Sequence, residues 1–211
     1  PDVRTGEPLV AVTSDHGVPT TVRGISAVCR RRHWPVTFYL PTGYLDERRG
    51  LPFQLWCKVL PHLPRAIVSL PSRVLDLSGP GALEQFTADI DTAMYTQPRD
   101  RYQPVIEELV RWVIESGLAT PERLRTPEPI PWSEVSELSS HAAIRFESHG
   151  VTHTAVVALS PSALEAELET SRRRVREHTN RDCRHFCYPF GSPRSIGPAA
   201  PGIVAKAFDT A

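Results

Sequence analysis

The apolar positions near the start of the chain predict a strand, a helix and a second strand in succession. The apolar run Pro8–Asp15 ends in a polar turn, as a short buried strand does. Val22, Ile25 and Cys29 recur at helical spacing, and the segment 35–43 is β-branched and aromatic. A strand, a helix and a strand so close together form a βαβ unit, which favours an α/β fold with a parallel sheet.

Between Gly50 and Pro131 the apolar spacing becomes helical and is interrupted repeatedly by proline. Three segments have this spacing: FQLWCKVLPHLP, GALEQFTADIDTAM and RYQPVIEELVRWVIESG. We interpret residues 50–131 as a helical insertion within one catalytic domain that spans residues 1–211. A separate small helical domain is the alternative.

After Pro131 the alternation of strands and helices resumes. Residues 131–143 predict a helix, and residues 144–153 predict a strand with a polar end. A long helix follows, with Ser160 as its N-cap and Pro161 as its first residue. Residues 184–191 predict another strand, and residues 200–211 predict a helix that runs to the end of the sequence.

Composition narrows the class of protein. The 24 Lys and Arg residues balance the 24 Asp and Glu residues, and this formal net charge of +0 argues against a nucleic-acid partner. No apolar run reaches the roughly 18–20 residues of a membrane helix. The sequence opens without a secretory leader and has four scattered cysteines, so we expect a cytoplasmic protein, although a trimmed N-terminus leaves export open. No pattern indicates an oligomeric state.

Three predicted strands end in residues suited to a chemical site. These ends are TSDHG at 13–17, SHGVTH at 148–153 and CYPFG at 187–191. Because the carboxyl ends of parallel strands meet at one edge, we expect the three segments to lie together. His149 and His153 can supply two metal ligands and His16 or Asp15 a third, with one position left for water.

Each of these segments taken alone also has an interpretation that involves no metal site. A His-x-x-x-His pair arises by chance, and Asp-His-Gly is also a turn signal. Cys183 and Cys187 flank His185 but lack the second cysteine pair of a structural zinc site, so we interpret them as buried or half-buried thiols. Trp56 is interpreted as a packing residue and not as a platform for a sugar.

Taken together, the motifs resemble those of the polysaccharide deacetylases of the NodB-like class, carbohydrate esterase family four. TSDHG stands where the family has Thr-Phe-Asp-Asp-Gly, and VTFYLPTG at 36–43 resembles the family's ATFFVPTG. SHGVTHT at 148–154 matches its His-x-x-x-His motif, and FCYPFG at 186–191 resembles the FAYPFG of one branch. The resemblance covers most of residues 8–60 and 130–211. It implies a distorted (β/α) barrel with the helical insertion, expected to be incomplete at its C-terminus.

The resemblance also implies a role for each matching residue. Asp15 falls on the catalytic base, and the backbone N–H of Phe190 falls on the oxyanion donor. The implied metal ligands are His16, His149 and His153. Tyr44, Tyr188 and Pro189 lie within or beside the motifs, and we expect them to contact the substrate. The implied activity is the metal-dependent removal of an acyl group, N-acetyl in the simplest case, from an amino sugar or polysaccharide. Zn²⁺ is the expected ion and a carbohydrate the expected partner.

Three departures from the family pattern leave alternatives open. His16 replaces an Asp ligand, which makes the ligand set more cationic and leaves open whether Asp15 becomes a ligand. Cys187 stands where some members have an Arg that orients the base. The family's general-acid His lies beyond the third motif, residues 192–211 contain no histidine and strand alternation turns His185 away, which leaves open whether the protein has this group. The alternatives are a metal- or glycan-binding pseudoenzyme, and a deformylase or non-sugar amide hydrolase.

Overall fold

The computed structural model describes residues 10–211, and a three-stranded parallel sheet lies at its centre. Strands β1 (Val12–Asp15), β2 (Val36–Leu40) and β5 (Ile144–Ser148) lie in the order β1-β2-β5. Helix α1 (Pro19–Arg32) connects the first two strands, so the predicted βαβ unit is confirmed. The predicted start of the first strand at Pro8 lies outside the described residues.

The remaining elements surround this sheet or belong to the segment 50–131. The other helices are α2 (Thr42–Glu47), α3 (Pro52–Val59), α4 (Ala82–Thr96), α5 (Gln103–Glu115), α6 (Pro121–Leu124), α7 (Trp132–Ser139), α8 (Pro161–Thr179), α9 (Pro193–Ile196) and α10 (Ala200–Ala207). Short 3₁₀ turns occupy Leu60–His62, Arg99–Arg101 and Val156–Ala158. None of the helices within residues 10–211 combines the length and apolar character needed to cross a membrane.

The main hydrophobic core joins the central sheet to the helices that pack on it. Along β2, Phe38 and Leu40 are fully buried, as expected for a central strand covered by helices. Helix α8 adds Leu168 and Val175 to the same cluster. This helix begins as predicted, because the Ser160 hydroxyl accepts a hydrogen bond from a backbone N–H of the first turn.

The segment 50–131 has a second cluster of buried residues, which includes Trp56, Ile106 and Leu109. The three predicted helices are present as α3, α4 and α5, and the segment also contains two short strands that the sequence does not predict. Strands β3 (Ile67–Ser69) and β4 (Val74–Asp76) pair antiparallel. Each is only three residues long, so neither shows the alternation by which a strand is predicted from sequence. That this segment is an insertion within one catalytic domain stays a prediction.

Two predictions near the end of the chain are also wrong. The segment 184–191 forms single parallel bridges, Ser148 with Phe186 and His185 with Thr210, in place of a regular strand. Pro189 lacks an N–H, and a turn closes directly after it, so pairing cannot extend. Helix α10 ends at Ala207, because the following residues become extended and Thr210 accepts a hydrogen bond from Phe186 N–H.

Candidate metal centre

Three histidines converge at the carboxyl edge of the central sheet. His16 follows β1, and His149 and His153 follow β5. The Nε2 atoms of His16 and His153 are 3.2 Å apart, and one ligand atom from each of the three lies within 4.8 Å of the others. The structure therefore brings together the three predicted ligands, here called the histidine cluster.

The turn after β1 places His16 in an uncommon backbone conformation. Its φ is +72°, and that of Gly17 is +67°. His16 N–H donates to Tyr39 O at 3.0 Å, which ties the turn to β2. A Cβ on Gly17 would lie 2.9 Å from Leu40 Cδ2, so the close packing of the turn and its positive φ both require glycine.

The loop between the other two histidines is held by a carboxylate from α8. Glu167 accepts hydrogen bonds from the backbone N–H of Val151 at 2.7 Å, the backbone N–H of Thr152 at 3.2 Å and the Thr152 hydroxyl. His153 itself has a φ of +54°. Sequence reasoning missed Glu167 because its partners belong to a different element, and its own helix is rich in solvent-facing charge.

One ring nitrogen of His149 is buried without a hydrogen-bond partner among the described residues. Its Nδ1 lies 2.7 Å from Cys187 O, and because a carbonyl only accepts, Nδ1 carries the proton. Its Nε2 is buried with no hydrogen-bond partner within the described chain. A buried unpaired nitrogen is costly, and a metal ion would satisfy it while the carbonyl orients the ring. Three imidazoles therefore fit a divalent ion, Zn²⁺ in particular.

Burial keeps the histidine cluster neutral. It lowers the pKa of His16 to about 4, an effect that His149 strengthens and Asp15 opposes. Burial also lowers the pKa of His149 to about 4 and holds the pKa of His153 well below its usual value. Neutral imidazole is the form that binds metal, so the ring nitrogens are available as ligands near neutral pH.

Asp15 lies at the end of β1 beside the histidine cluster and is half-buried. The Cys187 thiol is 3.7 Å from Asp15 Oδ2 and donates a weak hydrogen bond to it. Burial and the nearby Asp15 raise the pKa of Cys187 to about 12, so the thiol stays protonated. Asp15, His149 and Cys187 also offer ligand atoms within 4.8 Å of one another. The base role of Asp15 therefore stays a prediction beside the ligand role.

The turn after Tyr188 brings an aromatic side chain to the cluster. Phe190 has a φ of +66°, and its ring centroid is 4.9 Å from that of His153 and 4.9 Å from that of Tyr95. Tyr188 is half-buried and lines the cavity that contains the histidine cluster. The oxyanion role of the Phe190 N–H stays a prediction.

Two of the predicted substrate contacts lie elsewhere. Tyr44 is 2% exposed, and its hydroxyl accepts a hydrogen bond from Arg99 at 3.0 Å. Pro189 is buried and borders a small separate space. Neither lines the cavity that contains the histidine cluster. Adjacency to a motif in the sequence does not fix the direction of a side chain, and we leave Tyr44 and Pro189 out of the proposed substrate contacts.

The cavity over the histidine cluster has a volume of about 490 Å³ and two kinds of wall. One wall is the carboxyl edge of the sheet. The other comes from α3 and α4 and includes Phe53, Trp56, Asp91 and Tyr95. The sequence alone does not predict a part for this segment in the site, and it indicates a packing role for Trp56. Its ring is indeed buried, and it also faces the cavity.

The described elements form an α/β fold related to the (β/α) barrel of deacetylases. A family model described as polysaccharide deacetylase matches residues 2–196. The chain therefore belongs to the polysaccharide deacetylase family. No curated protein sequence matches it.

Solved structures of deacetylases share this fold at low sequence identity. The Streptococcus pyogenes deacetylase PplD in complex with acetate is 12% identical, with a TM-score of 0.51 over 96% of this chain and 54% of that chain. A de-N-acetylase from Aggregatibacter actinomycetemcomitans is 12% identical, with a TM-score of 0.51 over 94% of this chain and 60% of that chain. The chain thus spans a little over half the length of these structures.

Proposed function

We propose that the protein is a metal-dependent hydrolase that removes an acyl group, N-acetyl in the simplest case, from the amine of a carbohydrate. The observation that carries this proposal is the neutral histidine cluster beside Asp15, with the unpaired Nε2 of buried His149. Membership of the polysaccharide deacetylase family supports the class of reaction and the carbohydrate substrate.

Each group of the proposed site has one role in the reaction. The histidine cluster would hold the divalent ion, Zn²⁺ by its donor set, and a bound ion supplies Lewis acidity toward water and the acyl carbonyl. The Asp15 carboxylate takes a proton from the attacking water as the new C–O bond forms. The Phe190 N–H donates to the oxygen that becomes negative in the tetrahedral state.

The proton must then reach the leaving amine as the C–N bond breaks. Within the described chain, the three histidines that line the cavity are the proposed ligands, which leaves Asp15 and the protonated Cys187 thiol as the acid–base groups close to them. Of these two, Asp15 is the carboxylate that can accept the proton of the attacking water. We infer that Asp15 returns the same proton to the amine, so that the carboxylic acid and the amine leave with no net change in the side chain. In solution the two products then ionise to acetate and an ammonium group.

The experiment measures metal content and acetate release on the same preparations. The protein, stripped with a chelator and reloaded with Zn²⁺, is expected to bind close to one equivalent. The double variant His149→Ala, His153→Ala is expected to bind none, whereas His33→Asn, an exposed cap of α1 with left-handed backbone, should bind normally. Wild-type protein without stoichiometric metal after reloading would overturn the proposal.

A second candidate is a metal-binding protein of this fold that does not turn over its ligand. The observation that favours it is the proximity of Asp15 to His149 and Cys187, because an Asp15 that binds the ion cannot act as the base. Asp15→Asn separates the two functions. Unchanged zinc content with acetate release reduced by about 100-fold or more supports the base role. Loss of zinc affinity in this variant supports the ligand role.

A further inference from the structure

We propose that helices α3 and α4 form a recognition site for a positively charged ammonium group on the substrate, anchored by Asp91. This inference deepens the proposed function and rests on it. It concerns the far wall of the cavity, which is built by the segment 50–131 and not by the motifs of the sheet edge.

Aromatic rings line this cavity from the histidine cluster outward. The Phe53 ring centroid lies 5.1 Å from that of His16, and the Phe190 centroid lies 4.9 Å from that of Tyr95. Trp56 contributes a further ring on the α3 side. Aromatic faces attract cations, and a group of such rings is the usual surface for binding an ammonium ion.

Asp91 supplies the negative charge that completes such a site. The Trp56 indole N–H donates to Asp91 Oδ1 at 3.1 Å, which links α3 to α4 and fixes the carboxylate beside the rings. Asp91 also lines the cavity, and because Oδ1 accepts from Trp56, we infer that a ligand is bound by Oδ2. A fixed carboxylate next to aromatic faces selects for a cation of matching size.

The charge of the whole cavity supports the same assignment. Of the described residues that line it, Asp15 and Asp91 carry formal charge, and none is Lys or Arg. A bound divalent ion would offset negative charge at the histidine cluster, so the attraction for a cation is greatest at the far wall, beside Asp91. The volume of about 490 Å³ matches a ligand of small-molecule size. The substrate class is therefore a compact N-acyl compound with a free ammonium group, such as an amino-sugar oligosaccharide already deacetylated at a neighbouring unit.

The kinetic experiment compares matched substrates on the zinc-loaded protein. Monoacetylated chitobiose carries one ammonium group, diacetylated chitobiose carries none, and N-acetylputrescine carries one without a sugar. Asp91→Asn keeps the oxygen that accepts from Trp56 and removes only the charge. It is expected to raise KM for the cationic substrates about tenfold more than KM for the neutral substrate. Asp89→Asn, exposed on the same helix, should behave as wild type.

The two cationic substrates distinguish the source of the ammonium group. Asp91-dependent turnover of the disaccharide supports an amino-sugar substrate, and Asp91-dependent turnover of N-acetylputrescine supports an acylated polyamine. An Asp91→Asn variant that treats cationic and neutral substrates as wild type does would overturn the inference and leave the proposed hydrolase intact.

A binding measurement tests the recognition site without turnover. Choline and 3,3-dimethylbutan-1-ol have the same shape but differ by one positive charge. Titration calorimetry is expected to show choline binding about tenfold more tightly to wild type, with this preference lost in Asp91→Asn. If no acyl substrate is hydrolysed but the preference is present, the proposed function fails and the ammonium site stands. Equal binding of the two probes to wild type overturns the ammonium site.

Discussion

Removing the Glu167 carboxylate is expected to weaken metal binding without unfolding the protein. Within the described chain, Glu167 makes no hydrogen bond to the three histidine rings, yet it accepts hydrogen bonds from two consecutive backbone N–H groups, of Val151 and Thr152. These residues connect His149 to His153, so the carboxylate fixes the distance and direction between two proposed ligands. Glu167 is therefore a positioning residue.

The size of the effect follows from the bonds that are lost. Hydrogen bonds to a charged group contribute about 1.5–3 kcal/mol each. Glu167 is half-buried, so water replaces part of that interaction in the variant and the net loss is smaller. Disturbing a group that orients metal ligands typically lowers metal affinity about 10–100-fold. We expect Glu167→Ala to fall in this range and Glu167→Gln, which keeps one accepting oxygen, to lose less.

The assay is competition for Zn²⁺ against a chromophoric chelator, with urea unfolding of the metal-free protein measured in parallel. Glu169→Ala is the matched control, because it lies on the same helix and is exposed. A purely structural role would lower metal-free stability and leave the affinity of the folded protein unchanged. Glu167→Ala with the zinc affinity of wild type would refute the positioning role.

Three further predictions test the backbone and the electrostatics of the centre. Between pH 7 and pH 4 the metal-free protein should lose stability as the pH falls. Burial lowers the pKa of His16 and His149 to about 4, so the unfolded chain binds more protons than the folded chain in this range. A free energy of unfolding in urea that does not change with pH would contradict this. Gly17→Ala should lower the melting temperature, since its Cβ would clash with Leu40, whereas Gly24→Ala in an open helix position should not. Iodoacetamide at pH 8 should label exposed Cys57 well before Cys187, whose pKa is about 12; equal labelling by peptide mass spectrometry would refute the assigned environment.

The sheet and its helices could be predicted from sequence because their signals are local. The β-branched run at β2 and the Ser160-Pro161 start of α8 each reflect physics that acts within a few residues. The pair β3–β4 has no such signal, because three-residue strands exist only through their partner. The end of α10 likewise depends on pairing between Thr210 and His185, which are distant in sequence.

The proposed ligands could be predicted because each follows a strand, whereas the second wall of the cavity could not. His16 and His149 reach one place through the parallel register of the sheet, which is a general property of α/β folds. Asp91 and Trp56 meet through the packing of two helices, and neither belongs to a motif. Contacts between helices depend on which faces pack, and this arrangement leaves no fixed spacing in the sequence.

Three non-glycine residues at the centre share a backbone conformation that most side chains avoid. His16, His153 and Phe190 all have positive φ, a conformation that costs about 1–3 kcal/mol for residues of this kind and persists only where the surroundings impose it. At His16 the conformation is held by the hydrogen bond from its N–H to β2, and at His153 by the Glu167 carboxylate, which binds the preceding loop. The folded state thus accepts an unfavourable backbone conformation at three residues whose side chains converge on one cavity. We interpret this cost as the consequence of a chemistry that needs the three residues together and not any one of them alone.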